Sequence, residues 1–250
     1  MSYSSDNHLI VIPTYNEIDN IQEFINEISK IDVSILIVDD NSPDGTGKLV
    51  QEISNSNDKI NLINRQKKLG LGSAYRDGFK WGLDKGFEYL LEMDADFSHS
   101  FEDLLKILDS SSSADIVIGS RYIKDGGSVG WDARRKMLSS FANKLSKILL
   151  KTKINDMTSG FRCYSNKALS EIRYETTKSD GYAFQVEMSA RAVQKQLSIK
   201  EVPIIFNERR LGKSKMSKKI VYEAFLYLVK NGLKRWLKIC LLYTSDAADE

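Results

Sequence analysis

Asp94-Ala-Asp96 carries the sharpest chemical signal in this sequence. Two carboxylates spaced i, i+2 directly behind the apolar run Tyr89 to Met93 stand at a strand end, where both can reach one cation together with a nucleotide diphosphate. Magnesium accepts one or two carboxylates and completes its octahedron with phosphate oxygens and water. Such a cation neutralises charge developing on a departing diphosphate. An isolated Asp-x-Asp is as easily a solvated acidic turn; the polar residues that follow the neighbouring strands tip this one toward function.

Pro13-Thr-Tyr-Asn-Glu17 offers an aromatic ring on which a base can stack and a carboxylate that can accept from base or ribose. The plain alternative is a strand-ending turn with Asn16 as a helix cap. Asp39 and Asp40 are acceptors of the same kind, and adjacent residues of an extended chain point apart, so only one of them is expected to touch a ligand. Arg121, after a later strand, can clamp a diphosphate. Arg209, Arg210, Lys213 and Lys215 form a second cationic cluster around Gly212, with a solvated basic loop as the alternative. His99 lies near Asp96 and its role stays open. Lys68-Leu-Gly-Leu-Gly-Ser73 lacks the third glycine of a dinucleotide fingerprint, since position 75 is Tyr, and follows the third strand instead of the first. Its glycines are expected to serve close helix–sheet packing, with Lys68 still able to face a ligand.

These residues need a scaffold that brings strand ends together. Leu9 to Ile12 reads as a buried strand ending at Pro13, and Glu17 to Lys30 places Ile18, Ile21, Phe24, Ile25 and Ile28 at helical spacing. Ser34 to Val38 is a second strand, followed by the turn Asn41 to Gly45 and a helix to about Ser54. Ile60 to Ile63, Glu88 to Met93 and Asp115 to Ile118 are three more strands, the last two preceded by helical stretches. The alternation predicts an α/β fold, a mostly parallel Rossmann-like sheet with helices on both faces. Ligands of such sheets collect outside the carboxyl ends of the strands.

Composition sets the bounds. The 250 residues are 28% charged and 42% hydrophobic with 15 Gly and 3 Pro, which excludes a disordered or fibrous chain. Two cysteines make no disulfide framework and no Cys/His group has zinc spacing, so a reducing cytosolic setting is expected. The polar start, Met1 to His8, argues against a secretory signal. No apolar stretch reaches the roughly 18 residues of a membrane span. Cys240 to Glu250 resembles a translated sequencing adapter and is set aside, which leaves 1–239 as one domain.

The net charge of +2 conceals a division. Residues 1–130 hold 12 basic and 22 acidic residues, a balance of −10, whereas residues 131–239 hold 24 and 9, a balance of +15. In the basic half, Arg134 to Lys151 carries Leu138, Phe141, Leu145, Ile148 and Leu149 on one helical face. Lys218 to Lys238 repeats the theme with Phe225, Leu228, Val229, Leu233 and Trp236. These helices can pack on the core with solvated lysines, bind nucleic acid, or lie in a membrane interface; Trp131 and Trp236 add modest weight to the last. A helix around Phe184 to Lys195 and a strand around Ile199 to Phe206 lie between them, and Ser110 to Ser113 reads as a polar loop.

Taken together the motifs resemble the polyprenyl- or dolichyl-phosphate mannose synthases among the GT-A, family-2 glycosyltransferases, over about residues 8 to 235. The resemblance rests on the segments already named, with Asp94 to His99 and Gly119-Ser-Arg-Tyr122. More discriminating are Gly130-Trp-Asp, Thr158-Ser-Gly-Phe-Arg162, Gly181 to Met188, and the run from Glu201-Val-Pro to Gly212-Lys-Ser-Lys215. It implies inverting transfer of mannose from GDP-mannose to a polyprenyl phosphate, with UDP-glucose as the alternative donor. Nucleotide-sugar contacts are implied at Pro13, Tyr15, Glu17, Val38, Asp39 or Asp40, Asp94, Ala95, Asp96, Arg121, Arg209 and Lys215, and acceptor-phosphate contacts at Arg134, Arg135, Arg209 and Lys215. Mg2+ or Mn2+ is implied at Asp94, Asp96 and position 98, which is Ser here where some relatives have Gln. Asp96 and Arg121 are the implied catalytic groups. Further implications are a peripheral place on the cytoplasmic face of an anionic membrane and an anchoring partner or C-terminal membrane segment. Nucleic acid is not an expected partner, because a nucleic-acid module leaves the acidic strand ends unexplained.

Overall fold

The computed structural model describes residues 3–208, and the expected alternation is realised there. β1 (His8–Thr14), β2 (Ser34–Asp39), β3 (Ile60–Asn64), β4 (Tyr89–Glu92) and β5 (Ile116–Ser120) are linked by α1 (Ile18–Ile28), α2 (Thr46–Ser54), α3 (Leu71–Asp84) and α4 (Phe101–Ser110). There follow β6 (Gly127–Val129), α5 (Ala133–Leu149), β7 (Arg162–Ser165), α6 (Asn166–Ile172), α7 (Gly181–Gln194), β8 (Ile199–Pro203) and β9 (Ile205–Asn207). The main sheet runs β3-β2-β1-β4-β7-β5-β8, and β6 pairs with β9 in a second sheet of two strands. β7 is antiparallel to both of its neighbours, and the other pairings are parallel.

The first two strands are continuous apolar runs because both of their faces are covered. Leu9, Val11, Leu36 and Val38 point into one layer with Phe79 of α3 and Phe184 of α7. Ile10, Ile12, Ile35 and Ile37 point into the other, against Phe24 of α1 and Ile107 of α4. α3 lies close to the sheet at Gly78, where a Cβ would stand 2.3 Å from a Val11 methyl. Gly70 and Gly72 do something other than the expected helix–sheet packing. A Cβ on Gly72 would meet the Ser179 carbonyl oxygen at 2.7 Å, and one on Gly70 would collide with Asp180, so these two admit the segment that leads into α7.

Three further local readings are decided by the structure. Asn16 is no helix cap: it adopts φ +57° and Glu17 takes the capping position without a side-chain bond. Ser110 to Ser113 is no simple loop, since Ser110 ends α4, a 3-10 turn follows, and Ser111 is buried. α5 buries Asn143 and Ser146 and leaves Met137, Leu138, Phe141 and Ile148 at 70, 52, 62 and 66% exposure, while Leu149 packs against the core, so most of its apolar stripe faces outward, away from the first of the three readings left open above. The Lys218 to Lys238 segment, Trp236 and residues 240–250 lie outside the described residues.

Ser111 is tied to His8, whose Nε2 lies 2.8 Å from the Ser111 hydroxyl while the ring stacks on Tyr89. Burial lowers the His8 pKa from 6.5 to about 4. The unfolded chain therefore takes up a proton below about pH 6.5 that the folded chain refuses until about pH 4. Stability from this group is complete above that window and is lost as pH falls through it. Relative to His8→Gln, wild type is expected to lose about 2 kcal/mol between pH 7.5 and pH 5 in chemical denaturation. Parallel loss in both proteins would remove His8 as the cause.

Candidate functional site

The carboxyl ends of β1, β2, β4 and β5 open on one cleft. Pro13, Tyr15, Glu17, Asp40, Asp94, Ala95, Asp96 and Arg121 all line it, as expected from their strand-end positions. Lys68 also lines it, with its ammonium 3.7 Å from the centre of the Tyr15 ring, a cation–π contact. Arg209 and Lys215 lie outside the described residues.

Asp39 and Asp40 divide as two adjacent extended residues must. Asp39, almost fully buried, accepts from the Thr14 hydroxyl at 2.8 Å, the Ser42 hydroxyl at 2.6 Å and the Ser42 N–H at 2.8 Å, so it ties the ends of β1 and β2 together and does not line the cleft. Asp40 lines the cleft, pairs with buried Arg65 at 2.8 Å and accepts from the Leu69 and Gly70 N–H groups at 3.1 and 2.9 Å. Val38 is a core side chain packed in the sheet layer, so its side chain makes no part of the cleft.

The turn after β4 places Phe97 at φ +59° and lets the Ser98 N–H donate to Asp96 Oδ1 at 3.0 Å. Ser98 is fully buried and does not line the cleft; its backbone N–H braces the Asp96 carboxylate, and its hydroxyl has no hydrogen-bond partner. Among the described residues no three Asp, Glu, His or Cys side chains are grouped to hold a metal by themselves. His99 lines the cleft and stacks on Phe161 at 4.4 Å; burial pushes it down to about 4 against the pull of Asp96, so its ring is neutral near pH 7.

Arg121 is held from behind by Asp156. Its Nε and Nη2 donate to the two Asp156 oxygens at 2.7 Å each, and Nη2 also donates to the Thr158 hydroxyl at 2.9 Å. Burial opposes the charge on Asp156, but the Arg121 guanidinium and its hydrogen bonds outweigh it and hold that carboxyl below its usual range. Trp131, whose place in the sequence lends modest weight to a membrane interface, is buried against Phe206, with the Arg121 and Arg135 guanidinium carbons 5.2 and 4.2 Å from its ring centre. Arg134 and Arg135 do not line the cleft: Arg134 is exposed on α5, and Arg135 pairs with Glu208 at 3.4 Å.

Sequence reasoning left four residues of this region without roles: Asp156, Arg162, Asp180 and Gln185. Arg162 and Gln185 stand inside segments already singled out, but nothing in their spacing announces that they are buried. Asp180 accepts from the Gly72 N–H at 2.6 Å and joins α7 to the start of α3. Glu92, at the end of β4, is fully buried, and burial pushes its carboxyl up to about 8 against the Arg162 charge and a hydrogen bond from Gln185.

Residues 9–173 match the family described as Glycosyl transferase family 2. The chain belongs to that family. Among its relatives, a polyprenol monophosphomannose synthase of Mycolicibacterium smegmatis is 43% identical over 230 residues, covering 90% of this chain and 87% of that one. An undecaprenyl-phosphate mannosyltransferase of Micrococcus luteus is 41% identical over 231 residues, covering 91% and 95%. Two solved structures share the architecture, a GT-A fold. A mannosyltransferase of Pyrobaculum calidifontis, solved with GDP-Man and Mn2+, superposes with a TM-score of 0.56 at 16% identity, covering 99% of this chain and 81% of that one. GalNAc-T7, solved with UDP, GalNAc and Mn2+, gives 0.54 at 15% identity, covering 87% and 47%.

In this family-2 chain the Arg121–Asp156 pair is a buried ion pair, and removing one member leaves an uncompensated charge. Asp156→Asn is expected to cost about 3–5 kcal/mol in chemical denaturation. A variant within 0.5 kcal/mol of wild type would show that the pair is not structural.

Proposed function

We infer that the chain is a glycosyltransferase that moves mannose from GDP-mannose to a polyprenyl phosphate, giving polyprenyl-phosphate mannose. The observation that carries this is the pair of relatives at 41–43% identity over nine-tenths of the chain, both named for mannosyl transfer to a polyprenol-type phosphate. Their names favour mannose over the UDP-glucose alternative. The cleft supports the reading, since it gathers a ring for a base, acceptors for ribose and a carboxylate pair for a metal-bound diphosphate.

In this assignment Tyr15 stacks on the base, and Glu17 and Asp40 accept from base or ribose. Asp94 and Asp96 hold the cation through hard carboxylate oxygens, a donor type that suits both Mg2+ and Mn2+. When bound, that cation supplies charge neutralisation to the leaving diphosphate. Arg121 adds positive charge beside the same group, with Arg209 and Lys215 as proposed partners. Arg134 and Arg135, at the start of α5, meet the acceptor phosphate as it approaches from outside the cleft.

A lipid phosphate is already ionised at neutral pH, so its oxygen needs no general base. Displacement at the anomeric carbon with inversion then rests on positioning and on electrostatic help to the leaving group. Asp96→Ala is expected to lower transfer at least about a hundredfold while circular dichroism stays unchanged. The assay incubates labelled GDP-mannose or UDP-glucose with a polyprenyl phosphate and Mg2+, then extracts the lipid. Label carried by UDP-glucose alone, or near-normal turnover by Asp96→Ala, would overturn the assignment.

No helix among the described residues is long and apolar enough to cross a membrane. The outward face of α5 supports peripheral attachment, because Met137, Leu138, Phe141 and Ile148 are exposed and the exposed Lys136 and Lys144 flank them. On this reading the enzyme works peripherally, on the cytoplasmic face of an anionic membrane. The double variant Leu138→Gln/Phe141→Gln is expected to lose most sedimentation with phosphatidylglycerol vesicles and to keep its GDP affinity. Undiminished sedimentation would move the membrane contact elsewhere.

A further inference from the structure

The cleft wall formed by α7 holds an acceptor with nothing to accept from. Gln185 is 1% exposed and lines the cleft. Its amide nitrogen donates to Glu92 Oε2 at 2.8 Å, and its carbonyl oxygen Oε1 has no hydrogen-bond partner. Its backbone is clamped as well, since Arg162 Nη1 donates to the Gln185 carbonyl at 3.2 Å. Glu92 and Arg162 face each other in the β4–β7 register, so one strand pair reaches into α7 and holds a single residue at both ends.

A second unsatisfied atom lies in the same wall. Tyr75 lines the cleft, is fully buried and stacks on Phe184, the neighbour of Gln185; its hydroxyl has no partner either. Gly160 borders the same cleft, and a Cβ added there would lie 3.8 Å from the Gln185 amide nitrogen, in ordinary contact. Leaving a buried acceptor and a buried hydroxyl unpaired is costly unless a ligand group completes them. A hydroxyl both donates and accepts, which suits a carbonyl oxygen and a phenol together. Purely apolar walls provide neither.

We infer that Gln185, with Tyr75 beside it, is the specificity-determining wall that reads hydroxyls of the donor sugar, as distinct from the nucleotide. The inference rests on the nucleotide-sugar reading above and names residues which that reading leaves without a role. Glu92 and Arg162 are positioning residues for Gln185, and the sugar hydroxyl is the group that completes its Oε1.

The test compares GDP with GDP-mannose by calorimetry in the presence of Mn2+, because only the second carries the sugar. Gln185→Met keeps the length of the side chain and removes its polar end. It is expected to weaken GDP-mannose binding about tenfold and to leave GDP affinity unchanged, and the unchanged GDP affinity also shows that the protein is folded. Should Gln185→Met fail to fold, Tyr75→Phe removes one oxygen from the same wall and carries the same comparison. Equal weakening of both ligands, or of neither, overturns the inference. Absence of GDP-mannose binding by the wild type would overturn the nucleotide-sugar reading itself, so the two failures are distinct.

Discussion

A guanidinium removed from water is tolerable only where its donors and its charge are met. Arg162 is fully buried, and its nitrogens donate to the carbonyls of Ser159 at 2.7 Å, Met157 at 2.9 Å and Gln185 at 3.2 Å and to the Ser189 hydroxyl at 2.6 Å. Glu92 faces it across the β4–β7 register. These bonds fix the Met157 to Ser159 turn, the early turns of α7 and the end of β4 relative to one another. Each leads into the cleft. The turn carries Thr158, and Asp156 just before it, which hold Arg121; α7 carries Gln185; β4 runs on to Asp94 and Asp96.

Around that anchor the fold sorts its carboxylates. Several acids converge on one sheet edge, where their mutual repulsion is strongest. Asp39 is met by two hydroxyls and an N–H, Asp40 by Arg65 and two N–H groups, and Asp156 by Arg121. Those three hold loops and a cation in place. Asp94 and Asp96 complete the edge, and on the proposed reading they hold the cation that neutralises the leaving diphosphate. The opposed charges of the two halves, −10 and +15, express a similar division along the chain.

The five strands of the first half and the convergence of their ends were legible because a buried parallel strand writes itself as an unbroken apolar run. β7 was not. Arg162-Cys-Tyr-Ser165 is four residues with a charged residue at its head, and only the tertiary structure shows that charge to be buried and hydrogen-bonded. Val38 illustrates the opposite limit: the resemblance implies a nucleotide-sugar contact there, whereas its side chain packs in the core because both faces of β2 are covered. The position of Ser98 in its motif says nothing of the φ of +59° at Phe97, which turns the Ser98 backbone N–H onto Asp96.

α5 shows that a periodic apolar stripe states amphipathicity without stating which face is inside. Apart from Leu149, which packs on the core, its inward contacts include polar ones: Asn143 Oδ1 accepts the Met157 N–H at 2.8 Å, and Nδ2 lies 3.4 Å from the Thr158 hydroxyl. The helix is therefore fastened to the turn that holds Arg121, and its outward apolar side chains contribute little to the fold. Removing such side chains from water is worth about 25 cal/mol per Å2, a gain that a lipid surface can supply and the fold does not. On the proposed reading, a helix seated on lipid by one face and tied by Asn143 on the other sets the spacing between the acceptor's surface and the donor's cleft. The buried Arg121–Asp156 pair stiffens that tie. For a displacement that needs no general base, fixed spacing between the two reactants is the larger part of what the protein has to provide.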